Sequence, residues 1–145
     1  VTANTIREGH MSWSVNDTLA YNAGPTTTGW EIYTIDVDGR NQRQLTDNSH
    51  ADWAPEWSPD GSRLIYISLV RTTDPGIYTM NADGSGQRLL YNSPDYEWGA
   101  DWNSDGSAIL FTVDVGDADH IYTMNPDGSG ALLLTNSGSY PSWVR

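Results

Sequence analysis

The sequence predicts an all-β protein, a β-propeller with three four-stranded blades per chain, and three observations indicate this fold. A tryptophan motif recurs about every 45 residues, a second motif recurs in step with it, and Asp-Gly pairs separate short apolar runs. A period of roughly 40 to 45 residues with four strands in each unit is the signature of propeller blades.

The first motif starts at a tryptophan. Residues 57–62 read Trp-Ser-Pro-Asp-Gly-Ser, and residues 102–107 read Trp-Asn-Ser-Asp-Gly-Ser. A degenerate copy, Trp-Ser-Val-Asn-Asp-Thr, stands at residues 13–18. This copy lacks the Pro-Asp pair and its turn is one residue shorter, so we expect the first hairpin to differ from the other two. Trp57 and Trp102 are expected in the core.

The second motif is better preserved. Residues 32–39 read Ile-Tyr-Thr-Ile-Asp-Val-Asp-Gly, residues 77–84 Ile-Tyr-Thr-Met-Asn-Ala-Asp-Gly, and residues 121–128 Ile-Tyr-Thr-Met-Asn-Pro-Asp-Gly. Because both motifs return at the same spacing, the repeating unit is a whole blade.

In the middle unit the pattern predicts strands at 54–58, 63–69, 76–81 and 87–91. Asp-Gly between apolar runs predicts hairpins in which both turn residues tolerate positive φ. Isoleucine, tyrosine, valine and threonine favour pleated strands, and no segment has a helical period of useful length.

These stretches resemble the WD40-like propeller repeats of the TolB type. The resemblance rests on residues 57–66 (Trp-Ser-Pro-Asp-Gly-Ser-Arg-Leu-Ile-Tyr), on 77–84, and on Gln44-Leu45-Thr46 before the next unit. It implies a propeller, often six-bladed, on a periplasmic or secreted protein that docks a protein partner or shields another domain. Residues 1–10 lack the apolar core of a signal peptide.

The repeat assigns one domain with three complete blades. Residues 1–12 are interpreted as the end of a preceding outer strand and its link, 13–46 as blade 1, 47–91 as blade 2, 92–135 as blade 3, and 136–145 as the start of a fourth unit. The four residues predicted to close a ring at the chain ends are Val1, Trp13, Tyr140 and Trp143.

Three blades are too few to close a ring, and an open arc leaves unpaired edges that favour association. We therefore expect a homodimer of six blades, with an excised fragment of a longer propeller as the alternative. Trp13 and Trp143 both resemble first-strand residues, so one of them must be displaced at the dimer junction.

Composition excludes several classes of function. The net charge is −12 with only seven basic residues, which argues against nucleic acid and anionic membranes as partners. There is no cysteine and no apolar run long enough to insert in a membrane.

Catalytic and metal-binding patterns were sought without success, so we predict a protein that is not an enzyme and has no cofactor and no metal. No Gly-x-Ser-x-Gly occurs, and His10, His50 and His120 fall at different places in the repeat. Most aspartates precede a turn glycine. Residues 36–39 resemble the start of a calcium loop, but the downstream acidic ligand is missing.

The long connections lie at the end of the blades opposite the Asp-Gly turns, and loops on a rigid scaffold concentrate binding residues. The residues predicted to bind a ligand or partner there are Trp30, His50, Asp52, Trp53, Tyr96, Glu97 and Trp98. In one interpretation Trp53 and Trp98 pack between blades; in the other they stack on a ligand beside Asp52 and Glu97.

The predicted function is a non-catalytic module for protein binding or self-assembly that uses the long-loop face and the central channel. The alternatives are a carbohydrate-binding propeller, a minimal half-propeller whose only activity is oligomerisation into a closed ring, and a gating domain cut from a larger hydrolase.

Overall fold

The structure is a computed structural model and describes residues 7–26, 29–70, 75–116 and 118–138. Its described part contains twelve strands: β1 (Arg7–Trp13), β2 (Thr18–Gly24), β3 (Glu31–Asp36), β4 (Arg43–Gln44), β5 (Asp52–Trp57), β6 (Arg63–Ser68), β7 (Gly76–Asn81), β8 (Arg88–Tyr91), β9 (Tyr96–Trp102), β10 (Ile109–Asp114), β11 (Asp119–Met124) and β12 (Leu132–Thr135).

The strands form three separate antiparallel sheets of four, each in sequential order: β1 to β4, β5 to β8, and β9 to β12. Each sheet is one blade, as the repeat predicted. The first strands β1, β5 and β9 contact one another from blade to blade, so they form the inner edge of the arc.

The first strand of each blade begins earlier than the sequence predicted. In the middle blade it starts at Asp52 instead of residue 54, and in the first blade at Arg7, within the residues 1–12 that were interpreted as a preceding outer strand and its link. The cause is a β-bulge, where the pairing register shifts between Trp53 and Glu56. Ala54 lies there with a φ of 52°, which interrupts the alternation from which strands are predicted.

The Asp-Gly turns occur where predicted, but their geometry differs. Only the glycines have positive φ, 69° for Gly61 and 72° for Gly106, whereas the preceding aspartates do not. The Gly61 amide donates to the Ser58 carbonyl at 2.8 Å, as in a type I turn with Pro59 in its second position. The predicted pair of positive-φ residues was therefore wrong.

The first hairpin departs from the others, as expected. Asp17 stands in the glycine position of the shorter turn with a φ of 57°. Aspartate tolerates this left-handed region better than most residues, because its short side chain forms local hydrogen bonds.

The core lies between the blades. Ile65, Ile67 and Ile77 of blade 2 pack against Trp102, Phe111 and other apolar residues of blade 3. Ile32 and Leu45 of blade 1 pack in the same way against Trp57 and Leu64 of blade 2. Trp57 and Trp102, predicted core residues, are only 6% and 4% exposed. The described part of the chain contains no helix long and apolar enough to span a membrane.

Candidate binding surface on the inner strands

The blades have two distinct ends. The turns after the first and third strands of each blade lie at one end, which we call the turn end. The connections after the second strand and the links between blades, residues 45–51 and 92–95, lie at the other, which we call the link end. The predicted binding residues cluster at the link end.

Two carboxylates are buried at the link end between blades 1 and 2. Glu31 is 8% exposed and Asp52 is fully buried. The link residue Asn48 joins them, because its amide nitrogen donates to Glu31 Oε1 at 3.1 Å and its side chain donates to Asp52 Oδ2 at 2.8 Å. The two acids therefore hold the link in place.

Burial raises the pKa of both carboxyl groups. For Glu31 the neighbouring charge of Asp52 raises the pKa further, whereas hydrogen bonds from Thr46 and Asn48 lower it. For Asp52 hydrogen bonds from Ser68 and Asn48 oppose the effect of burial without cancelling it. Ionisation of both carboxyl groups is therefore less favourable in the folded chain than in the unfolded one.

Glu97 repeats this arrangement between blades 2 and 3. It is fully buried, and its Oε1 accepts hydrogen bonds from the Ser93 amide at 2.8 Å and the Ser93 hydroxyl at 2.5 Å. Its Oε2 is buried without a hydrogen-bond partner among the described residues. Burial raises the pKa of Glu97, although Ser93 lowers it.

Five of the predicted binding residues were assigned to links, and that placement was wrong. Asp52 and Trp53 lie on β5, and Tyr96, Glu97 and Trp98 lie on β9. The bulges at Ala54 and Gly99 let both strands continue toward the link end. Asp52 and Glu97 are anchors for the links in this structure, which leaves the aromatic residues as the exposed part of the surface.

The aromatic residues are not equally accessible. Tyr96 is 43% exposed, whereas Trp30, Trp53 and Trp98 are half-buried. Trp53 packs against the core cluster between blades 2 and 3, as the packing interpretation predicted. Trp30 marks the junction of blades 1 and 2, where its carbonyl accepts a hydrogen bond from the Asp52 amide at 2.7 Å.

His50 lies in the first link and is half-buried. Its amide donates to the Asn48 side chain at 2.7 Å. The structure thus brings Trp30, His50 and Asp52 together at one blade junction, and places Tyr96, Glu97 and Trp98 on the inner strand of the next blade.

The inner strands of blades 2 and 3 are acidic. β5 and β9 carry four carboxylates and neither lysine nor arginine; the acids are Asp52, Glu56, Glu97 and Asp101. Glu8 holds the equivalent position on β1, since it pairs with Ala23 as Asp52 pairs with Ser68 and Glu97 with Val113. We call the surface formed by β1, β5 and β9 the inner wall.

A cavity of about 270 Å³ opens where the inner wall reaches the turn end. It is lined by Trp13, Val15, Trp57, Pro59 and Trp102, among others. A second cavity of about 620 Å³ lies beside it between the turns of blades 1 and 2. The sequence analysis did not predict these cavities, because Trp57 and Trp102 were assigned to the core and Trp13 to ring closure.

Of the predicted ring-closing residues, only Trp13 can be placed. It is 55% exposed at the end of β1. Val1, Tyr140 and Trp143 lie outside the described residues. Within the described ranges, no group of three or more histidine, aspartate and glutamate side chains could hold a metal ion.

Three four-stranded antiparallel blades arranged side by side define a β-propeller protein. The TolB β-propeller domain family matches residues 12–144, so this chain belongs to that family, which confirms the resemblance of the repeats.

Solved structures agree with this fold. The putative TolB from Agrobacterium tumefaciens is 23% identical with a TM-score of 0.83, over 98% of this chain and 56% of its own. TolB from Acinetobacter baumannii is 20% identical with a TM-score of 0.75, over 92% of this chain and 34% of its own. The chain thus spans between a third and three fifths of these proteins.

One curated relative shares a shorter stretch. Dipeptidyl-peptidase 5 from Porphyromonas gingivalis is 37% identical over 38 residues, which are 26% of this chain and 6% of the peptidase. A match this short carries no activity across to this chain.

Proposed function

We propose that this chain is a non-catalytic propeller module that binds an extended, basic segment of a protein partner along its inner wall. The observation that carries the proposal is the acidic and aromatic character of the adjoining inner strands. β5 and β9 carry no basic residue, and of their four carboxylates Glu56 and Asp101 are partly exposed, whereas Asp52 and Glu97 are fully buried.

Charge complementarity supports a basic partner. The chain has a net charge of −12 and its seven basic residues are all arginine. An acidic groove with walls of low dielectric attracts cations and repels anionic partners. Glu56 and Asp101, which are partly exposed on the inner wall, are the acids that we expect to contact arginine or lysine side chains.

The aromatic residues indicate that the partner's segment also carries apolar side chains. Trp13, Trp57 and Trp102 line a cavity at the turn end, and Tyr96 is exposed at the link end. Tyrosine and tryptophan are enriched where proteins bind one another, because they combine a large apolar area with a polar group.

The buried acids favour a binding surface whose shape is already fixed before a partner binds. Asp52, Glu31 and Glu97 hold Asn48 and Ser93, and so fix the two links that border the inner wall. Carboxylates with raised pKa values are costly to stability, and such groups concentrate at functional sites. A periplasmic or secreted location, implied by the resemblance to TolB repeats, belongs to the same proposal.

The test compares three synthetic peptides of equal length by isothermal titration calorimetry, in which leucine alternates with arginine, glutamate or serine. We expect only the arginine peptide to bind, with affinity that falls as salt rises. Replacing Glu56→Gln and Asp101→Asn together should weaken this binding by about tenfold, since each lost charge contact is worth on the order of 1 kcal/mol.

A matched control changes the charge equally at the turn end. Asp38→Asn and Asp83→Asn remove two exposed carboxylates from the outer turns, away from the cavity, and should leave the affinity nearly unchanged. Equal binding of the acidic peptide, or equal weakening by the control pair, would contradict the proposal. A panel of neutral oligosaccharides tests the carbohydrate-binding alternative. Binding of an oligosaccharide without binding of any peptide would favour that alternative over this proposal.

A further inference from the structure

We propose that a neutral monosaccharide or disaccharide binds between the turns of blades 1 and 2, in the cavity of about 620 Å³ that we call the junction cavity. Its lining includes Asn16, Asp36, Asn41, Gln42, Arg43 and Trp57. The volume lies within the roughly 300 to 1,000 Å³ typical of small-ligand sites. The proposal goes beyond peptide binding, because the acids Glu56 and Asp101 of the inner wall do not line this cavity.

The corresponding cavity between blades 2 and 3 is much smaller. It is lined by Ser58, Asp60 and Trp102, among others, and has a volume of about 110 Å³. Trp102 holds the repeat position of Trp57, so the two cavities occupy equivalent places in the fold. Because both junctions are built from the same repeat, we attribute the extra volume to residues at which blade 1 departs from it.

The first departure is the short turn after β1. The Ser14 amide donates to the Thr18 carbonyl at 2.9 Å. In blade 2 the Ser58 amide donates to the Arg63 carbonyl at 2.9 Å, which closes a turn one residue longer. The turn of blade 1 therefore contributes less material to the wall of the junction cavity.

The short turn also places a side-chain amide at the junction. A Cβ at Gly61 would lie 2.7 Å from Asn16 Nδ2, so the Asn16 side chain lies directly over the backbone of blade 2. At the next junction the ring of Pro59 lies over Gly106, with Cδ 3.6 Å from the Cβ position. A group that can form hydrogen bonds thus replaces an apolar ring at the junction cavity.

The second departure is Asn41, which stands where the other blades have glycine. Gly86 and Gly130 hold this position in blades 2 and 3, both with a φ of 68°, and Asn41 has a φ of 53°. A side chain is strained in this left-handed region, and such strain concentrates at functional sites. Asn41 lines the cavity, and its Nδ2 donates to Asp36 Oδ2 at 2.7 Å.

The charged side chains of the cavity favour a neutral ligand. Asp36 contributes one negative charge and Arg43 one positive charge, and the other polar lining side chains are amides, hydroxyls and an indole. The position of Asp36 is asparagine in the other blades, at Asn81 and Asn125, so the carboxylate is particular to this junction. A cavity without net charge attracts neither cations nor anions strongly.

The hydrogen-bonding groups of the lining suit a ligand rich in hydroxyls. Each amide of Asn16, Asn41 and Gln42 offers both donors and an acceptor, whereas Asp36 only accepts and Arg43 only donates. A sugar hydroxyl both donates and accepts. Adjacent hydroxyls on one ring can therefore pair with the two polar atoms of a planar side chain.

Trp57 contributes a donor that the protein does not satisfy. It is 6% exposed, and its Nε1 is buried without a hydrogen-bond partner among the described residues. A buried donor normally has a partner, and a hydroxyl of the ligand would supply one. Trp102 has the same unpaired group, but the cavity beside it is the smaller one.

The test is isothermal titration calorimetry with a defined panel of sugars. Its neutral members are the methyl glycosides of glucose, galactose, mannose and N-acetylglucosamine, with maltose and lactose. We expect at least one of them to bind with a Kd on the order of 1 mM. Glucosamine and glucuronic acid carry opposite charges, and both should bind more weakly than the best neutral sugar.

Two variants assign the binding to the junction cavity. Asn41→Gly restores the residue that blades 2 and 3 have, so it should not lower the thermal stability, and it should weaken sugar binding by about five- to tenfold. Asn16→Ala removes the other amide and should have a similar effect. The matched controls Asp38→Asn and Asp17→Asn alter the same two turns outside the lining and should leave the affinity within about twofold.

Three results would overturn this inference. All neutral sugars could fail to bind at concentrations up to about 50 mM, far above the expected Kd. The controls could weaken binding as much as Asn41→Gly does. Sugar binding could be lost in the double variant Glu56→Gln with Asp101→Asn and kept in Asn41→Gly, which would place the sugar on the inner wall. Asn41→Gly should leave binding of the arginine peptide unchanged, so failure here is distinct from failure of the peptide proposal.

Discussion

The turn end and the link end of the blades follow different rules. At the turn end the same device recurs, in which an exposed aspartate accepts a hydrogen bond from the amide two residues on, at 3.0 Å for Asp60 and 2.9 Å for Asp105. At the link end the acids are buried and differ between junctions, since Glu31 has Gly76 as its counterpart in blade 2. The repeated aspartate turns at one end specify the fold. The residues at the link end differ between junctions and are therefore free to serve binding.

The pKa values of the carboxyl groups are shifted in opposite directions at the two ends. Hydrogen bonds from Ser58 and Ser62 lower the pKa of Asp60 to about 2. Burial raises the pKa of Glu97 and Asp52. Carboxylates at the turn end therefore stabilise the fold when ionised, and those at the link end destabilise it.

The largest expected change in the free energy of unfolding distinguishes two tryptophans on β9. Trp102→Ala at the turn end removes a side chain that is 4% exposed in the core, and should cost about 3 to 5 kcal/mol. Trp98→Ala at the link end, where the side chain is half-buried, should cost about 1 to 2 kcal/mol. Urea unfolding followed by circular dichroism measures both, and equal costs would contradict the distinction.

The next effect compares two turn glycines. Gly128→Ala adds a Cβ against the Leu90 carbonyl at a φ of 88° and should cost about 2 to 4 kcal/mol of the free energy of unfolding. Gly39→Ala meets only the strain of its φ of 81° and should cost about 1 kcal/mol. Urea unfolding followed by circular dichroism measures both variants, and a cost for Gly39→Ala as large as that for Gly128→Ala would contradict the role of the Leu90 carbonyl.

The turn end was predictable from the sequence because its contacts are local. The strand predicted at 76–81 is β7 itself, and the one predicted at 63–69 ends one residue early at Ser68. The Asp-Gly pairs marked every regular turn. Only the turn type was wrong, because a longer loop lets aspartate keep negative φ.

The link end was predicted in part. Its residues were named, but the bulges at Ala54 and Gly99 hid the strands on which they lie. Glu31 was missed, since its partner Asp52 is 21 residues away on the next blade and no motif connects them. Contacts across a blade junction leave no periodic signal when only one junction has them.

Removing a buried charge at the link end should stabilise the chain at neutral pH. The pKa of Glu97 is raised on folding, so its contribution to stability is fully present below the unfolded pKa and is lost as pH rises through the folded pKa. Glu97→Gln keeps the acceptor for Ser93 and should gain on the order of 1 kcal/mol at pH 7. Thermal unfolding should show no gain at pH 3.5, where the wild-type carboxyl group is protonated.

The smallest expected effect is a loss of stability when a carboxylate is removed at the turn end. The lowered pKa of Asp60 adds stability that is present above the unfolded pKa and is lost as pH falls toward about 2. Because Asp60 is exposed, Asp60→Asn should cost less than about 1 kcal/mol at pH 7. The same thermal scans should find the difference much reduced at pH 2, and a gain in stability at pH 7 would contradict the assignment.

The inner wall is the proposed binding surface of this propeller. Heteronuclear NMR with the arginine–leucine peptide tests it at residue level, because the seven tryptophans each give a separate indole N–H signal. We predict that the signals of Trp13, Trp57 and Trp102, which line the cavity on the inner wall, shift, while the amides of Gly39 and Gly84 at the outer turns stay in place. Shifts confined to those glycines, with the indole signals unmoved, would contradict it.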